Sequence, residues 1–507
     1  MRNAHLVADI RPAERALMAR MPDGALMQRA VAGLASVSAG LLGRVYGSRV
    51  VVLAGSGDNG GDALHAGAVM ARRGAVVTGI AVAPRVHEGG AAALRAAGGR
   101  LIEAADPGTG AAVGVADLII DGILGIGGHG GLREPAASLA AQADRSRALV
   151  VAADLPSGID ADTGEVGGAA VCADVTVTFG TWKPGLLIDP GASHAGVVEF
   201  VDIGLGPHLG SVRVAAPQAA DVAGWLPRPS AESDKYRRGV LGLAAGSERF
   251  TGAATLAIGG AIHGGAGMVR LVSAAPAVAV ARQHWPETVI TVVAPDSSAG
   301  QAIETAGQVQ AWAAGPGMGT DGAAVSLLTA VLASNVPVLV DADGLTVLAA
   351  HPDLLPRHAP TLITPHAGEL ARLLGADRAD VEARRLEFAT RAAAELGITV
   401  LLKGSTTVIA GPSEDDQVLV NPTGTAWLAT AGSGDVLSGL AGALLAQGLS
   451  PASAAASAAY LHGIAGRLAA AGAAGTGAAG TGRAGAPIGA SDLIRALPAA
   501  IRTVSAG

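Results

Sequence analysis

The strongest constraint on this chain of 507 residues is a rhythm. A short β-branched run is followed by a glycine-rich turn, and that by an alanine- and leucine-rich stretch of helical length. The segment RVVVLAGSGDNGGDALHAGAVMARRG is one such unit, and ADLIIDGILGIGG, ALVVAADLPSGI and ADVTVTFG continue the series. Apolar runs of this kind suit parallel strands buried on both faces, with helices as crossovers. The rhythm loosens between about 205 and 233, around Pro227 and Pro229, and resumes at RRGVLGLAAGS. Two α/β domains are expected, over 1–215 and 225–507. The second series closes with an Ala-rich helical region from Gly432 to about Ala471. Residues 469–487, AAAGAAGTGAAGTGRAGAP, are low in complexity and expected to form a flexible loop. The two halves do not look like copies, so no internal repeat is read.

Composition narrows the possibilities. Half the residues are hydrophobic but only 2% are aromatic, so the cores must be filled by Ala, Val, Leu and Ile. The net charge of −7 argues against a nucleic-acid binder, which shows a basic patch. It leaves room for a small anion held by backbone amides. The N-terminal segment has no uninterrupted apolar stretch of the signal-peptide kind. The longest apolar run, VSLLTAVLASNVPVLV, is interrupted by Pro337 and too short for a membrane span. A soluble cytoplasmic protein without a membrane partner is expected. The single cysteine, Cys172, excludes a disulfide framework and reads as a small core residue. Of 35 basic residues only Lys183, Lys235 and Lys403 are lysine, so each marks a place where a compact ammonium is needed or merely tolerated.

In the first half, GSGDNGGD (55–62) lies between a strand and a helix. Its glycines either let backbone amides approach a phosphate or serve an ordinary strand-to-helix turn. Asp121, Asp154 and Ser157 fall at the ends of other strands, where a parallel sheet forms its ligand crevice. With Asn59 they offer oxygens for a hard cation or an acid/base pair; a lone Asp at a strand end is more often a helix cap, but three such segments together point toward a site. In the second half, Gly432-Ser433-Gly434-Asp435 opens a helix. There the amides form an anion hole and Asp435 can accept a proton from a hydroxyl; the plainer alternative is a first-turn helix charge.

These residues carry a resemblance. GSGDNGGD, DGILGIGG, DLPSGIDADTGE and ALMQRA together resemble the NAD(P)HX epimerase domain, over about residues 1–210. The resemblance implies a Rossmann-like three-layer fold and a substrate site at Asp58, Asn59, Gly60, Gly61, Asp62, Gly125, Ile126, Gly127, Gly128, His129, Gly130, Gly131 and Asp154. It makes Asp154 the acid/base and gives a potassium ion to Asn59, Asp121 and Ser157. Asp58 and Ala63 depart from the family's usual Asn and Gly. Lys183 faces the same crevice or sits in a surface loop.

DKYRRGVLGLAAGSERFTGAATLAIGGAIHGGAG, GPGMG (315–319), DADGL (341–345), LITPHAGEL (362–370), LLKGSTTVI (401–409) and the GSGD helix resemble the NAD(P)HX dehydratase domain, over about 230–465. This implies a ribokinase-like α/β fold. Ala253, Gly317, His366 and Asp435 would line the hydrated nicotinamide nucleotide, with Asp435 catalytic. Lys403, Gly404, Ser405, Thr406, Thr407 and Gly434 would bind the adenine nucleotide, ADP by family precedent or else ATP. Glu369 either orders water on Mg²⁺ or caps a helix, and Asp341 and Asp343 lie near the phosphates or cap the next helix. Ala367, Phe250 and His263 depart from the usual Pro, Tyr and Arg. The joint resemblance is to the bacterial bifunctional repair enzymes acting on NADHX and NADPHX, and a homo-oligomer is expected. The alternative is a small-molecule hydroxymethyl kinase with a non-catalytic N-terminal domain; a nucleotide-binding scaffold is a further rival.

Overall fold

The strand Arg49–Ala54 shows how the sequence pattern becomes layers. Side chains alternate across a strand. Val50 and Val52 pack on one face with Leu34 and Leu64, from the helices Ala25–Leu42 and Asp58–Arg72. Val51 and Leu53 pack on the other with Leu139 and Ala140 of the helix Ala136–Arg145. Both faces are covered, so the run is apolar throughout. A computed structural model describes residues 1–293, 298–472 and 485–506. The chain divides into one unit of Asn3–Val214 and another of Ala215–Gly507 with Met1–Arg2.

In the first unit seven parallel strands lie in the order Arg100–Glu103, Val76–Ala81, Arg49–Ala54, Leu118–Gly122, Leu149–Ala153, Val175–Phe179, Val197–Val201. The chain moves one way from Arg49–Ala54 and then returns to build on its other side. The crevice at that reversal lies outside the carboxyl ends, where residues 55–62, 123–131 and 154–158 follow their strands. The helix Ala25–Leu42 is long and apolar enough to cross a membrane. Its Ala30, Val31, Leu34 and Ala35 are buried in this unit's core.

In the second unit parallel strands run in the order Val289–Val292, Met268–Ser273, Val240–Ala244, Ala311–Ala314, Val338–Val340, Thr361–Ile363, Thr399–Leu402. Thr407–Ala410 and Val418–Asn421 extend the sheet antiparallel. The helix Ser433–Ala446, buried from Val436 onward, packs on the helix Thr251–His263.

Three expectations change. Cys172 is exposed rather than in the core. The amides of Val171 and Ala173 are bonded to Ser157 and His194, both side chains are buried, and the extended backbone turns Cys172 outward between them. The Ala-rich region from Gly432 is two helices, Ser433–Ala446 and Pro451–Ala471. Gly448 at φ 94° ends the first, and the Ser450 hydroxyl caps the second ahead of Pro451. Of the low-complexity stretch 469–487, residues 469–471 finish that helix, and 473–484 lie outside the described residues.

Candidate active sites

The first site is built on three strand ends. Asp121 is fully buried, and its carboxylate accepts hydrogen bonds from the Ser157 amide (2.8 Å), the Ser157 hydroxyl (2.7 Å) and the Ile123 amide (3.1 Å). Burial pushes the Asp121 carboxyl up to about 6 against those bonds. The Leu124 carbonyl accepts from the Asn59 amide at 2.8 Å, and the Ser157 hydroxyl lies 3.2 Å from it. Asn59, Asp121 and Ser157 thus converge on one point, although they are far apart in the chain.

Asp154 follows the strand Leu149–Ala153 at φ 67°, a left-handed conformation that costs a non-glycine residue about 1–3 kcal/mol. Its Oδ1 accepts from Lys183 Nζ and from the Phe179 amide at 3.2 Å. Lys183 is 1% exposed, so it belongs to the crevice and not to a surface loop. Asp62 is pushed up to about 8, first by burial and then by the like charges of Asp154, Asp58 and Glu14. Glu14, raised chiefly by burial, comes from the helix Val7–Met18 and was not among the expected site residues; no spacing links it to the crevice. The loop Gly125–Gly131 starts against the site, where a Cβ on Gly125 would lie 3.2 Å from Asn59 Cβ. It ends at the surface, where His129 is exposed and lies 2.9 Å from Asp160.

The second site centres on Asp341, which is 1% exposed. Its Oδ1 lies 2.6 Å from Lys403 Nζ, and its Oδ2 accepts from the Ser438 hydroxyl at 2.5 Å. The residue after it, Ala342, sits at φ 50°, so both described non-glycine residues with positive φ are at or beside a site. Burial alone would pull the Lys403 ammonium down, but Asp341, Glu369 and Asp435 hold it above its usual range. Asp435 lies in the first turn of the helix Ser433–Ala446. Burial, then repulsion from Asp341, pushes its carboxyl up to about 7, with Lys403 opposing.

His366 and Glu369 form a capping box on the helix Ala367–Leu374: the Glu369 amide donates to His366 Nδ1 at 3.1 Å and the His366 amide to Glu369 Oε2 at 2.7 Å. Glu369 is therefore a cap, yet it also stands 3.8 Å from Lys403. Asp343 accepts from the Gly319 amide at 3.0 Å and so fastens the GPGMG loop.

A cavity of about 690 Å³ opens beside these groups, lined by His366, Lys403, Gly404, Ser405, Thr407, Asn421, Ser433, Gly434 and His462. Thr406 is buried. Ala253 and Gly317 lie together elsewhere, on segments following the strands Val240–Ala244 and Ala311–Ala314; a Cβ on Gly317 would be 2.7 Å from that of Ala253. His462 and Ser438 were not foreseen. His462, held at about 4 by burial and hence neutral, lies 2.9 Å from the Ser433 carbonyl and supports the helix start. Lys235 is exposed over the Tyr236 ring and takes part in neither site.

Residues 241–481 match a family model described as NAD(P)H-hydrate dehydratase, and residues 23–185 one described as YjeF-related protein N-terminus. A bifunctional NAD(P)H-hydrate repair enzyme from Mycobacterium leprae is 47% identical over 477 residues, 93% of this chain and 95% of that protein. A protein of the same name from Escherichia coli is 36% identical over 357 residues, 70% of this chain and 68% of that one. Among solved structures, a ribokinase-like superfamily protein from Enterococcus faecalis covers 59% of this chain and 99% of its own, with TM-score 0.50 and 22% identity, which speaks for the fold of the second unit alone.

Proposed function

The chain belongs to the family of bifunctional NAD(P)H-hydrate repair enzymes, and on that premise we propose how its two sites divide the work. The first unit interconverts the R and S epimers of hydrated NADH and NADPH. The second dehydrates the S epimer at the expense of ADP, giving AMP and phosphate.

One observation carries the second half of this reading: Asp435, a carboxyl raised to about 7 at a helix start, beside the pair that half-buried Lys403 makes with buried Asp341. Hydroxide leaves the nicotinamide ring poorly. Asp435 accepts the proton of the ring hydroxyl as its oxygen attacks the β-phosphorus of ADP, and AMP departs. The amides at Gly432–Asp435 meet the charge that develops on the transferring group, and Lys403 serves as a point charge on phosphate. Phosphate then leaves with the ring C–O bond, a proton is lost from the neighbouring carbon, and the double bond returns. Glu369 Oε1 is free of the capping hydrogen bond and would face the water shell of Mg²⁺, which supplies charge neutralisation at the phosphates.

In the first unit Asp154 is the acid/base. The Asp121 carboxylate, the Ser157 hydroxyl and the Leu124 carbonyl, with the Asn59 amide group beside them, offer one anionic and otherwise neutral groups, which suits a potassium ion. The ion would offset the buried Asp121 charge and fix the loops that carry the substrate.

The kinase alternative leaves the first unit idle, whereas the Mycobacterium leprae relative matches across both units. The test is to incubate the purified chain with mixed R and S hydrates and ADP. Return of the near-ultraviolet absorbance of the reduced dinucleotide, with AMP formed in step, is expected. A stable phosphorylated product would instead identify a kinase.

A further inference from the structure

Lys183 is the largest charged side chain among the fully buried ones, and the reaction scheme above gives it no step. It follows the strand Val175–Phe179 at the start of the short turn Pro184–Leu186. An ammonium has three hydrogens, and each has an acceptor: Asp154 Oδ1, Thr178 Oγ1 at 3.0 Å and the Phe179 carbonyl at 3.0 Å. None is left for a ligand, so Lys183 cannot itself touch substrate as a donor.

The Asp154 carboxylate is asymmetric in consequence. Every hydrogen bond its side chain makes among the described residues falls on Oδ1: from Lys183, from the Phe179 amide and from the Thr178 hydroxyl at 3.4 Å. Oδ2 makes none. The backbone that carries this side chain sits at φ 67°, in the left-handed region. A residue in a costly conformation persists where its surroundings over-determine it, and here the surroundings are one buried cation and one strand end. An arginine would not reproduce the clamp, because a planar fork spreads its donors where three acceptors converge on one nitrogen.

We propose that Lys183 is the positioning residue of the first site: it pins Oδ1 of Asp154 and thereby presents Oδ2 alone to the hydrated nicotinamide ring. The proposal rests on the epimerase reading of this unit. It explains why one of three lysines stands here in a chain that otherwise uses arginine.

The test uses the full chain and separates kcat from KM for conversion of R to S hydrate. A wild-type far-ultraviolet circular dichroism spectrum and an unchanged melting transition of the first unit are the control for folding, and dehydration of pure S hydrate by the same molecule shows that the second unit is untouched. Lys183→Met is expected to lower the epimerisation kcat at least about 100-fold. KM should stay within about threefold, and S-hydrate dehydration should be unchanged. Lys183→Arg should not restore kcat. In an Asp154→Asn background Lys183→Met should cost nothing further, since it acts through Asp154. Wild-type kcat in Lys183→Met, full rescue by arginine, or a rise in KM that accounts for the loss would each overturn the proposal. If Lys183→Met does not fold, Thr178→Val decides. It keeps the ion pair but removes one acceptor and one donor, and should lower kcat about tenfold at constant KM; an unchanged kcat refutes the clamp. A wild-type chain that fails to convert R hydrate overturns the epimerase reading and this proposal with it.

Discussion

Single residues decide the chemistry of both sites, and their environments yield pH and ion dependence. Asp435 must be ionised to accept a proton, and its carboxyl is raised from 3.8 to about 7. Lowering the pH through 7 therefore protonates the base and removes activity, while raising it above 7 restores a plateau. The kcat for S-hydrate dehydration is expected to fall about tenfold per pH unit on the acidic side. Asp435→Asn should abolish that limb and cost about 10²–10⁴ in rate. A profile flat from pH 5.5 to 8 in the wild-type chain, checked at saturating ADP, would remove Asp435 as the base. In the first site, exchanging potassium for a large quaternary ammonium counter-ion should suppress epimerisation and leave the dehydration rate unchanged, as measured on R and S hydrate separately. Much at this scale was legible: Asn59, Asp121 and Ser157 do meet, because strand-end residues of a parallel sheet share one crevice. What escaped was partnership across strands. Lys183 and Asp154 are joined only by the order of the strands, and although Asp is among the few non-glycine residues that adopt positive φ, its identity alone does not mark which Asp does so. Asp341 was left between a phosphate neighbour and a helix cap; its burial against Lys403 and Ser438 depends on a sheet order that no local pattern reveals.

At the scale of elements, the helix Ser433–Ala446 determines whether the second site exists. It starts at Gly432, whose φ of 84° is a left-handed conformation open to glycine, and its first turn brings Ser433, Gly434 and Asp435 to the site. It lies flush against the helix Thr251–His263, because a Cβ on Gly439 would stand 1.9 Å from the Ala257 carbonyl oxygen. Gly439→Ala must force the two backbones apart. Overpacking of this kind costs about 1–3 kcal/mol, so the melting temperature of the second unit should fall and dehydration weaken, while R-to-S conversion persists. Differential scanning calorimetry with both rate assays checks it; an unaltered transition would show that the helices have slack. The Gly-Ser-Gly-Asp start was readable, since helix-opening glycines next to a carboxylate are a local signal. The break between this helix and Pro451–Ala471 was missed: Gly448 and the Ser450-Pro451 pair carry its signal, but the Ala-rich composition on both sides hid it. The tight crossing at Gly439 was not readable, because an interior glycine in a helix says nothing of which neighbour comes close.

At the scale of the whole molecule, the chain carries two α/β units with self-contained clusters of charge. Each proposed acid/base carboxylate has a lysine nearby: the buried Lys183 on Asp154 in one, and the half-buried Lys403, paired with the buried Asp341, beside Asp435 in the other. Each cluster is assembled within the limits of a single unit, Asn3–Val214 or Ala215–Gly507. The two activities should therefore be lost independently. In mixed hydrates with ADP, Asp154→Asn should consume the S form and leave the R form, while Asp435→Asn should equilibrate the epimers and regenerate no dinucleotide. On this division the S hydrate made at one site is released and taken up by the other. Mixing the two variant chains should thus restore complete recovery, at a rate that rises with the concentration of the Asp435→Asn chain until dehydration limits it. Chiral chromatography of the residual hydrates, followed over time, reads the outcome. Failure of the mixture to consume R hydrate, with each variant retaining its single activity, would mean that the S form does not leave the chain that makes it.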